Sequence, residues 1–297
     1  MKRHSLYQVT WYLVSAALAI SVILGIYSIG WEYSTRRYLK GFSDAIIPAS
    51  SSAENKVEAI LNWMARGPAR QTVGGPDPSV PDRDPTETLN YVALLKVCGT
   101  ATNAFVNLAD SGGLEARRVL LLDSRNMTKH VSAEVLVNGR WIVVDPTYRT
   151  ILRGPDGATV TLNQLLDPAI FATATQRIPG YNPEYSYGQT VHLRMGRLSV
   201  FGAPLFAILD RVAPGWSEST IVSLLAERES LVAVLASILL IAFLFLLRVG
   251  LRWYGEKKLG VRTNRVREQL VRAWRAFLKP ADSSDVAKLL PGKDPTN

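Results

Sequence analysis

Three residues of this sequence have types and positions that suit nucleophilic catalysis: Cys98, His130 and Asp145. Cys98 is the single cysteine of the chain. After it, apolar residues recur with the period of a helix: Ala101, Ala104, Phe105 and Leu108. Cys98 is therefore predicted in a first helical turn, where free backbone N–H groups and the helix dipole favour the nucleophilic thiolate. A lone cysteine is also commonly a small buried hydrophobe, and Cys98 alone does not decide between the two interpretations.

His130 and Asp145 lie in a predicted β-hairpin. Asn138-Gly139 between two β-rich runs predicts a two-residue type I′ turn. In that register Ser132 lies opposite Asp145, and His130 is on the same face as Ser132 because strand side chains alternate. His130 and Asp145 are then diagonal neighbours about 7–8 Å apart, a gap that their side chains can close to a hydrogen bond. An aspartate that orients a histidine beside a thiol activates the nucleophile, so the pattern predicts a triad with Cys98.

The charge of the chain is concentrated in one segment. The 297 residues include 34 Lys and Arg and 25 Asp and Glu, a net charge of +9. From Arg248 onward there are 12 basic and 5 acidic residues, and two basic residues precede Leu6. The middle of the chain consequently carries no net charge, which argues against a nucleic-acid partner.

Two uncharged segments predict membrane-spanning helices, because about 20 apolar residues suffice to cross a bilayer. They are Leu6–Trp31 and Leu231–Leu247. A cleaved signal peptide is the alternative for the first segment, but such a peptide has an apolar core of about 7–15 residues. A buried soluble helix is the alternative for the second. Basic residues after the second segment predict that both termini are cytoplasmic, with the middle periplasmic or extracellular.

These segments divide the chain into four parts. Residues 1–31 form a short cytoplasmic N-terminus and the first span, 32–229 an extracytoplasmic domain, and 230–251 the second span. Residues 252–297 form a basic amphipathic helix and a polar tail, which we expect on an anionic cytoplasmic leaflet or on a partner protein. Trp216–Glu229 is predicted to be a helix that leads into the second span. The segments at 74–85 and 178–188 are rich in proline and glycine and are predicted to be loops.

The motifs around the three candidate residues resemble the transglutaminase-like superfamily, whose fold is similar to that of papain. The resemblance covers Leu94–Tyr148 and rests on Cys98 opening a helix, Gly113-Leu114-Glu115-Ala116-Arg117, His130, Glu134-Val135, Gly139-Arg140-Trp141 and Asp145-Pro146-Thr147. It implies an α+β fold, with a cysteine-bearing helix packed on an antiparallel sheet, here flanked by two transmembrane helices. It also implies that Cys98 is the nucleophile, His130 the base and Asp145 the group that orients it. Family members often carry an aromatic residue where this chain has Ser132.

The chemistry implied is thiolate acyl transfer on an amide bond of a protein or peptide substrate. The thioester would pass to water, as in a cysteine protease or amidase, or to an amine, as in a transglutaminase-type acyltransferase. No metal or organic cofactor is expected. The second oxyanion donor stays open among Trp63, Asn90 and Tyr91.

Two other classes of function remain possible from the sequence. The domain could be a catalytically silent scaffold module in an envelope or polysaccharide-export assembly, with a protein of that assembly as its partner. A redox sensor would need only the lone thiol in an oxidising compartment, but the chain has no resolving cysteine. One cysteine and three histidines give little support to a cysteine-rich or histidine-rich metal centre. His192 is interpreted as a structural histidine.

Overall fold

The computed structural model describes residues 2–66, 84–90, 94–95, 97–193, 207–260 and 274–275, without the side chains of residues 2–4 and 90. Most of the loop predicted at 74–85 lies outside these residues. So do nearly all of the amphipathic helix predicted near 266–278 and the tail after it. Two compact units are present, one of residues 23–238 and one of residues 1–22 with 239–297.

The secondary structure follows the order of an α+β protein. The helices are α1 (Lys2–Ile46), α2 (Ala53–Arg66), α3 (Pro85–Asn90), α4 (Cys98–Ser111), α5 (Pro168–Gln176), α6 (Thr220–Glu227) and α7 (Glu229–Lys258). Residues 207–212 are also helical. The strands are β1 (Ala116–Leu122), β2 (Thr128–Val137), β3 (Arg140–Asp145), β4 (Thr150–Ile151) and β5 (Thr190–Val191).

The five strands form one antiparallel sheet in the order β4-β3-β2-β1-β5. The turn between β2 and β3 has φ of 50° at Asn138 and 77° at Gly139, the two left-handed residues that a type I′ turn requires. Ala133 pairs with Val144 across these strands. The register predicted from the Asn-Gly turn is therefore confirmed.

Helix α4 packs on one face of this sheet. The residues of β2 and β3 that share a hydrophobic core with α4 alternate along each strand: Ala133, Val135, Val137, Ile142 and Val144. On α4 itself Ala101, Ala104, Phe105 and Leu108 are fully buried in the same core, as their spacing predicts. The predicted fold class, a cysteine-bearing helix on an antiparallel sheet, is confirmed. The alternation leaves His130 and Asp145 on the opposite face.

Helices α1 and α7 are long and apolar enough to cross a membrane. The most apolar 18-residue stretch within Ser5–Ile46 has a mean hydropathy of 2.2, and that within Glu229–Lys258 has one of 3.0. Helix α1 continues well past the uncharged segment that ends at Trp31, and its Leu39 is fully buried in the core below α4. The prediction of two such helices is confirmed. The crossing of a membrane, the sides of the termini and the domain boundaries remain predictions.

The prediction of one helix over Trp216–Glu229 is wrong in two respects. Trp216–Glu218 forms a separate 3₁₀ turn that ends at Ser219, and the helix is interrupted again at Arg228. Helix α6 begins after Ser219, whose hydroxyl accepts a hydrogen bond from the Ile221 N–H at 3.3 Å. Arg228 has φ of −138° and ψ of 102°, which is extended backbone, and α7 begins at the next residue. The break turns the Arg228 side chain into the protein, where only 2% of the residue is exposed.

Arg228 is the centre of a buried polar network. Its guanidinium donates to Asn107 Oδ1 at 2.9 Å and to Asp110 Oδ2 at 3.0 Å, both on α4. It also donates to Glu32 Oε1 of α1 at 3.3 Å. Ser230 donates its hydroxyl proton to the other oxygen of Glu32 at 2.7 Å. One buried cation thus joins α1 and the start of α7 to the helix that carries Cys98.

Glu227 extends this network along α4. Its carboxylate accepts from Asn103 Nδ2 at 3.0 Å and forms an ion pair with Arg118 of β1. The Glu32–Arg228 network is defined by Glu32, Asn103, Asn107, Asp110, Arg118, Glu227, Arg228 and Ser230. Burying a charge is unfavourable unless the charge is paired, and each charged member of this network has a partner.

Candidate active site

Cys98 is the first residue of α4. Val97 before it is extended, with φ of −112°, and no side chain caps the helix. The thiol is half-buried. The backbone N–H groups of Gly99 and Val131 lie close enough to the sulfur to lower the pKa of the thiol. The position at a helix start was predicted from sequence, whereas the contact with β2 was not.

The contact with Val131 exists because β2 is longer than its neighbour β3. Pairing between these strands is recorded from Val137 back to Ala133, whereas β2 begins at Thr128. The first turn of α4 lies beside the remaining part of β2. Thr102 donates its hydroxyl proton to the Val131 carbonyl at 3.1 Å, and the Val131 N–H faces Cys98. A position of β2 that has no partner on β3 is thereby satisfied by the helix that carries the thiol.

His130 and Asp145 are in direct contact. His130 Nε2 lies 2.7 Å from Asp145 Oδ2, and the two residues are only 1% and 0% exposed. The other carboxylate oxygen of Asp145 accepts from the backbone N–H groups of Thr147 at 3.1 Å and Tyr148 at 3.3 Å. The carboxylate is therefore held on both sides. Since Nε2 faces Asp145, Nδ1 is the nitrogen left for Cys98, and this buried atom has no hydrogen-bond partner among the described residues.

A register shift accompanies His130. Leu121 of β1 pairs with His130, but Leu122 pairs with Thr128, so one residue of β2 is extra. Such a bulge twists the strand locally and re-aims the neighbouring side chains. It occurs on the side of β2 that faces β1, next to the residue whose orientation matters for the site.

Burial and mutual contact act in opposite directions on the two titrating groups. Burial raises the pKa of the Cys98 thiol, but the neighbouring His130 imidazole and the backbone N–H groups of Val131 and Gly99 together outweigh it, so the pKa of Cys98 is lowered from its ordinary value. Burial lowers the pKa of His130, but the contacts with Asp145 and Cys98 raise it to about 9. These directions favour a thiolate beside an imidazolium, the pair that a nucleophilic cysteine requires.

Three tyrosines, Tyr148, Tyr181 and Tyr185, surround the His130 ring, and the Tyr187 hydroxyl lies 3.3 Å from that of Tyr181. We call these four residues the tyrosine cluster. The Tyr185 ring stacks on the imidazole, with centroids 4.3 Å apart and planes 11° from parallel. The Tyr148 and Tyr181 rings lie at 6.0 and 6.5 Å. Burial raises the pKa of Tyr185 to about 12, so its hydroxyl stays protonated at neutral pH.

Three members of the tyrosine cluster lie in the segment at 178–188 that the sequence predicts as a loop. The loop assignment agrees with the structure, but the role of the loop beside His130 was missed. Loop residues carry no periodicity from which a contact can be predicted. The one available signal was composition, because Tyr181, Tyr185 and Tyr187 fall within seven residues.

The second oxyanion donor stays open. Trp63 lies on α2, with its ring packed edge-on against Phe42 at a centroid distance of 4.8 Å. The Asn90 side chain and Tyr91 lie outside the described residues. The backbone N–H groups at the start of α4, including that of Cys98, are available near the thiol as donors of the other hydrogen bond.

His192 lies in a separate polar contact. Its Nε2 is 2.9 Å from Glu134 Oε2, an oxygen that also accepts from Arg117 Nε at 2.9 Å. This agrees with the interpretation of His192 as structural. Among the described residues, no group of three or more His, Cys, Asp or Glu side chains is arranged to hold a metal ion.

The fold and the site together define a class: an α+β domain that presents a helix-borne cysteine to a strand-borne histidine and aspartate. Residues 40–146 match the family model of the transglutaminase-like superfamily. The match includes Cys98, His130 and Asp145, and it extends further toward the N-terminus than the motifs alone indicate. The chain therefore carries a transglutaminase-like superfamily domain at residues 40–146. No curated protein and no solved structure matches the sequence.

Proposed function

We propose that this protein is a membrane-anchored cysteine enzyme that acts on amide bonds by thiolate acyl transfer outside the cytoplasm. The observation that carries the proposal is the buried His130–Asp145 contact of 2.7 Å beside a thiol whose pKa is lowered. Burying a carboxylate is unfavourable unless it is paired. The buried Asp145 carboxylate fixes the orientation of the His130 ring and stabilises its imidazolium form, which is the role of the acid in a catalytic triad.

In the first half-reaction the Cys98 sulfur attacks the amide carbonyl and forms a tetrahedral intermediate. Backbone N–H groups at the start of α4 would stabilise the negative oxygen of this intermediate. The imidazolium of His130 gives its Nδ1 proton to the nitrogen of the breaking C–N bond. The amine leaves, a thioester to Cys98 remains, and the imidazole is neutral.

In the second half-reaction neutral His130 takes a proton from the incoming water or amine as it attacks the thioester. Collapse of the second tetrahedral intermediate releases the acid or the new amide and restores the thiolate–imidazolium pair. Asp145 keeps Nε2 protonated throughout, so Nδ1 is the atom that gains and loses the proton. Hydrolysis and transfer use the same residues and differ only in the acceptor.

The proposed location rests on helices α1 and α7. Both have large apolar residues on their exposed surfaces, among them Ile23 and Tyr27 on α1 and Phe243 and Leu246 on α7. Such surfaces fit a lipid environment and are unfavourable in water. Basic residues follow α7 in the sequence, which supports a cytoplasmic C-terminus and a catalytic domain on the other side.

Alkylation of Cys98 by iodoacetamide tests the thiolate–imidazolium pair in the full-length protein in detergent micelles. We expect the pH midpoint of alkylation to lie well below the ordinary thiol pKa, because only the thiolate reacts and its pKa is lowered. His130→Gln should move the midpoint upward, and His192→Gln is the matched control that should not. Equal midpoints in all three proteins would overturn the proposal.

Activity-based labelling with an electrophilic peptide amide tests acyl transfer itself. We expect an adduct on Cys98 that is lost in Cys98→Ala, and turnover of amide substrates that declines above about pH 9, where His130 loses the proton it must donate. The silent scaffold module predicts a different outcome: no acyl-enzyme at any pH. Mass spectrometry of the trapped intermediate distinguishes the two.

A further inference from the structure

A cavity of about 360 Å³ lies one strand away from the candidate active site. It is lined by Glu58, Leu61 and Asn62 of α2, by Arg149–Ile151, Arg153, Gly154 and Gly157, and by Thr173, Ala174, Arg177 and Ile178. Thr150 in its wall is the register partner of Asp145. Because paired residues of antiparallel strands lie about 5 Å apart at their Cα atoms, the cavity borders the site directly. We call it the arginine cavity.

The charges in this cavity do not cancel. Arg153 is paired, with its Nη2 2.6 Å from Glu54 Oε1 and 3.2 Å from Glu58 Oε1. Arg149 and Arg177 differ from it, since neither guanidinium forms an ion pair or hydrogen bond with any other residue that the structure describes. Arg149 and Arg177 are therefore two unpaired cations in the lining of one cavity. The single carboxylate in that lining, Glu58, is paired with Arg153.

Tyr148 connects the arginine cavity to His130. Its hydroxyl donates to the Gly180 carbonyl at 3.2 Å, which ties the segment of Arg149 to the segment that follows Arg177. On its other side the Tyr148 ring lies 6.0 Å from the imidazole of His130. One tyrosine thus forms part of the boundary between the cation pair and the reacting groups.

The backbone at Arg149 adds a second indication. Its φ is 54°, a left-handed conformation that is unfavourable in free energy for residues other than glycine, asparagine and aspartate. Glycine at this position would remove the strain. Residues held in such conformations concentrate at ligand-binding positions, where the side chain is needed.

A larger cavity of about 800 Å³, lined in part by Tyr187 and Gly188, provides a comparison. Its lining also includes two arginines, Arg117 and Arg140, but two glutamates accompany them. Arg117 is bonded to Glu134 and lies over the Trp141 ring at 4.2 Å. The excess of unpaired positive charge thus distinguishes the smaller cavity.

We propose that the arginine cavity binds an anionic oxygen group, a carboxylate or a phosphate, on the substrate whose amide carbon reaches Cys98. Guanidinium groups bind both anions through paired N–H donors, and two of them on one opening favour a ligand with several acceptor oxygens. This inference rests on the proposed function, because it assigns the substrate of that same site as an anionic peptide or peptide-like amide.

The test compares three alkylating probes that differ only at the end remote from the reactive group. They are the N-chloroacetyl derivatives of 6-aminohexanoic acid, of its primary amide and of 5-aminopentylphosphonic acid. The second-order rate constant for alkylation of Cys98 is measured for each in the full-length protein. We expect the anionic probes to react faster than the amide, and the preference to weaken as NaCl is raised.

Variants locate the preference. Arg149→Gln and Arg177→Gln should each reduce the ratio of anionic to amide rate by about two- to fivefold, the range of an exposed ion pair. Arg125→Gln is the matched control, because Arg125 is an arginine in the β1–β2 turn whose side chain is 81% exposed. A preference for only one of the two anionic probes identifies the carboxylate or the phosphate as the ligand.

Two outcomes would overturn the inference. One is equal rates for all three probes, and the other is an anion preference that survives both arginine variants. Either result leaves the proposed function intact if His130→Gln still raises the midpoint of iodoacetamide alkylation. The iodoacetamide experiment tests the proposed function, and the probe comparison tests the arginine cavity, so a failure of one is distinguishable from a failure of the other.

Discussion

Three neighbours of the His130 imidazole, Asp145, Cys98 and Tyr185, affect its protonation. Asp145 holds Nε2 and selects the tautomer, while Cys98 is left with Nδ1. Tyr185 covers one face at 4.3 Å. An aromatic face attracts a cation, so the stacked ring favours the protonated imidazole in the same direction as Asp145 does.

Tyr185→Leu should therefore raise the pH midpoint of Cys98 alkylation. A cation–π contribution of about 0.5–1 kcal/mol corresponds to a midpoint change of about 0.4–0.7 pH unit. Tyr185→Phe keeps the aromatic face and should leave the midpoint close to that of the unmodified protein. If both variants shift the midpoint equally, the hydroxyl and not the ring face is responsible.

At this scale the sequence predicts the strand residues and misses the loop residues. The Asn138-Gly139 turn fixes which residues of the hairpin lie opposite each other, so the proximity of His130 and Asp145 follows from counting. Tyr185 lies in a segment without a repeating pattern, 40 positions beyond Asp145, the last residue of β3. No local rule places such a residue over a particular ring.

Among the elements, the hairpin and α4 depend on each other at Val131. The helix supplies hydrogen-bond partners where β3 no longer pairs with β2, and the strand supplies an N–H that faces the thiol. Sequence periodicity predicts each element separately, because it reports which face is apolar. It contains no information on where a helix terminus meets a strand, so this contact could not be predicted.

Gly139→Ala tests how much the hairpin turn contributes to stability. An added Cβ would meet nothing within 4 Å, so the variant suffers only from its φ of 77°. Such strain costs about 1–2 kcal/mol, which should lower the Tm by about 2–8 °C.

Gly41→Ala provides the matched control for that experiment. Gly41 lies in α1 and also has open space around the position of a Cβ. Alanine in a helix interior stabilises by up to about 1 kcal/mol relative to glycine, so the Tm should stay the same or rise. A fall in Tm of similar size in both variants would mean that the turn conformation is not the cause.

At the scale of the whole molecule, the Glu32–Arg228 network joins segments that are remote in sequence. Glu32 and Arg228 are 196 positions apart, and the Arg228 guanidinium binds both Glu32 and Asn107 of α4. From the sequence, Asn103, Asn107 and Asp110 are simply the polar face of an amphipathic helix. Their partners could not be predicted because neither charge pattern nor spacing relates residues so far apart.

Arg228→Gln should destabilise the protein by about 3 kcal/mol, since it removes the buried cation that Glu32 and Asp110 share. The loss should stay at the lower end of the range for a broken buried ion pair, because Arg36 still pairs with Glu32. Thermal unfolding of the full-length protein measures the loss. The double variant with Glu32→Gln should recover part of it, because it removes the carboxylate that has lost Arg228. Arg125→Gln, at an exposed position, should change the Tm little, and a similar loss there would contradict this role for Arg228.

The Glu32–Arg228 network also bears on how the transglutaminase-like domain can be produced for biochemistry. Its members Glu32 and Ser230 lie directly at 31/32 and 229/230, the boundaries that hydropathy predicts for the two spans. A water-soluble fragment trimmed at those points would lose Ser230 and place Glu32 at a fraying end, although Leu39 further along the same helix is packed inside. Purification in lipid nanodiscs with both apolar helices retained is consequently the route that preserves the support beneath the thiol.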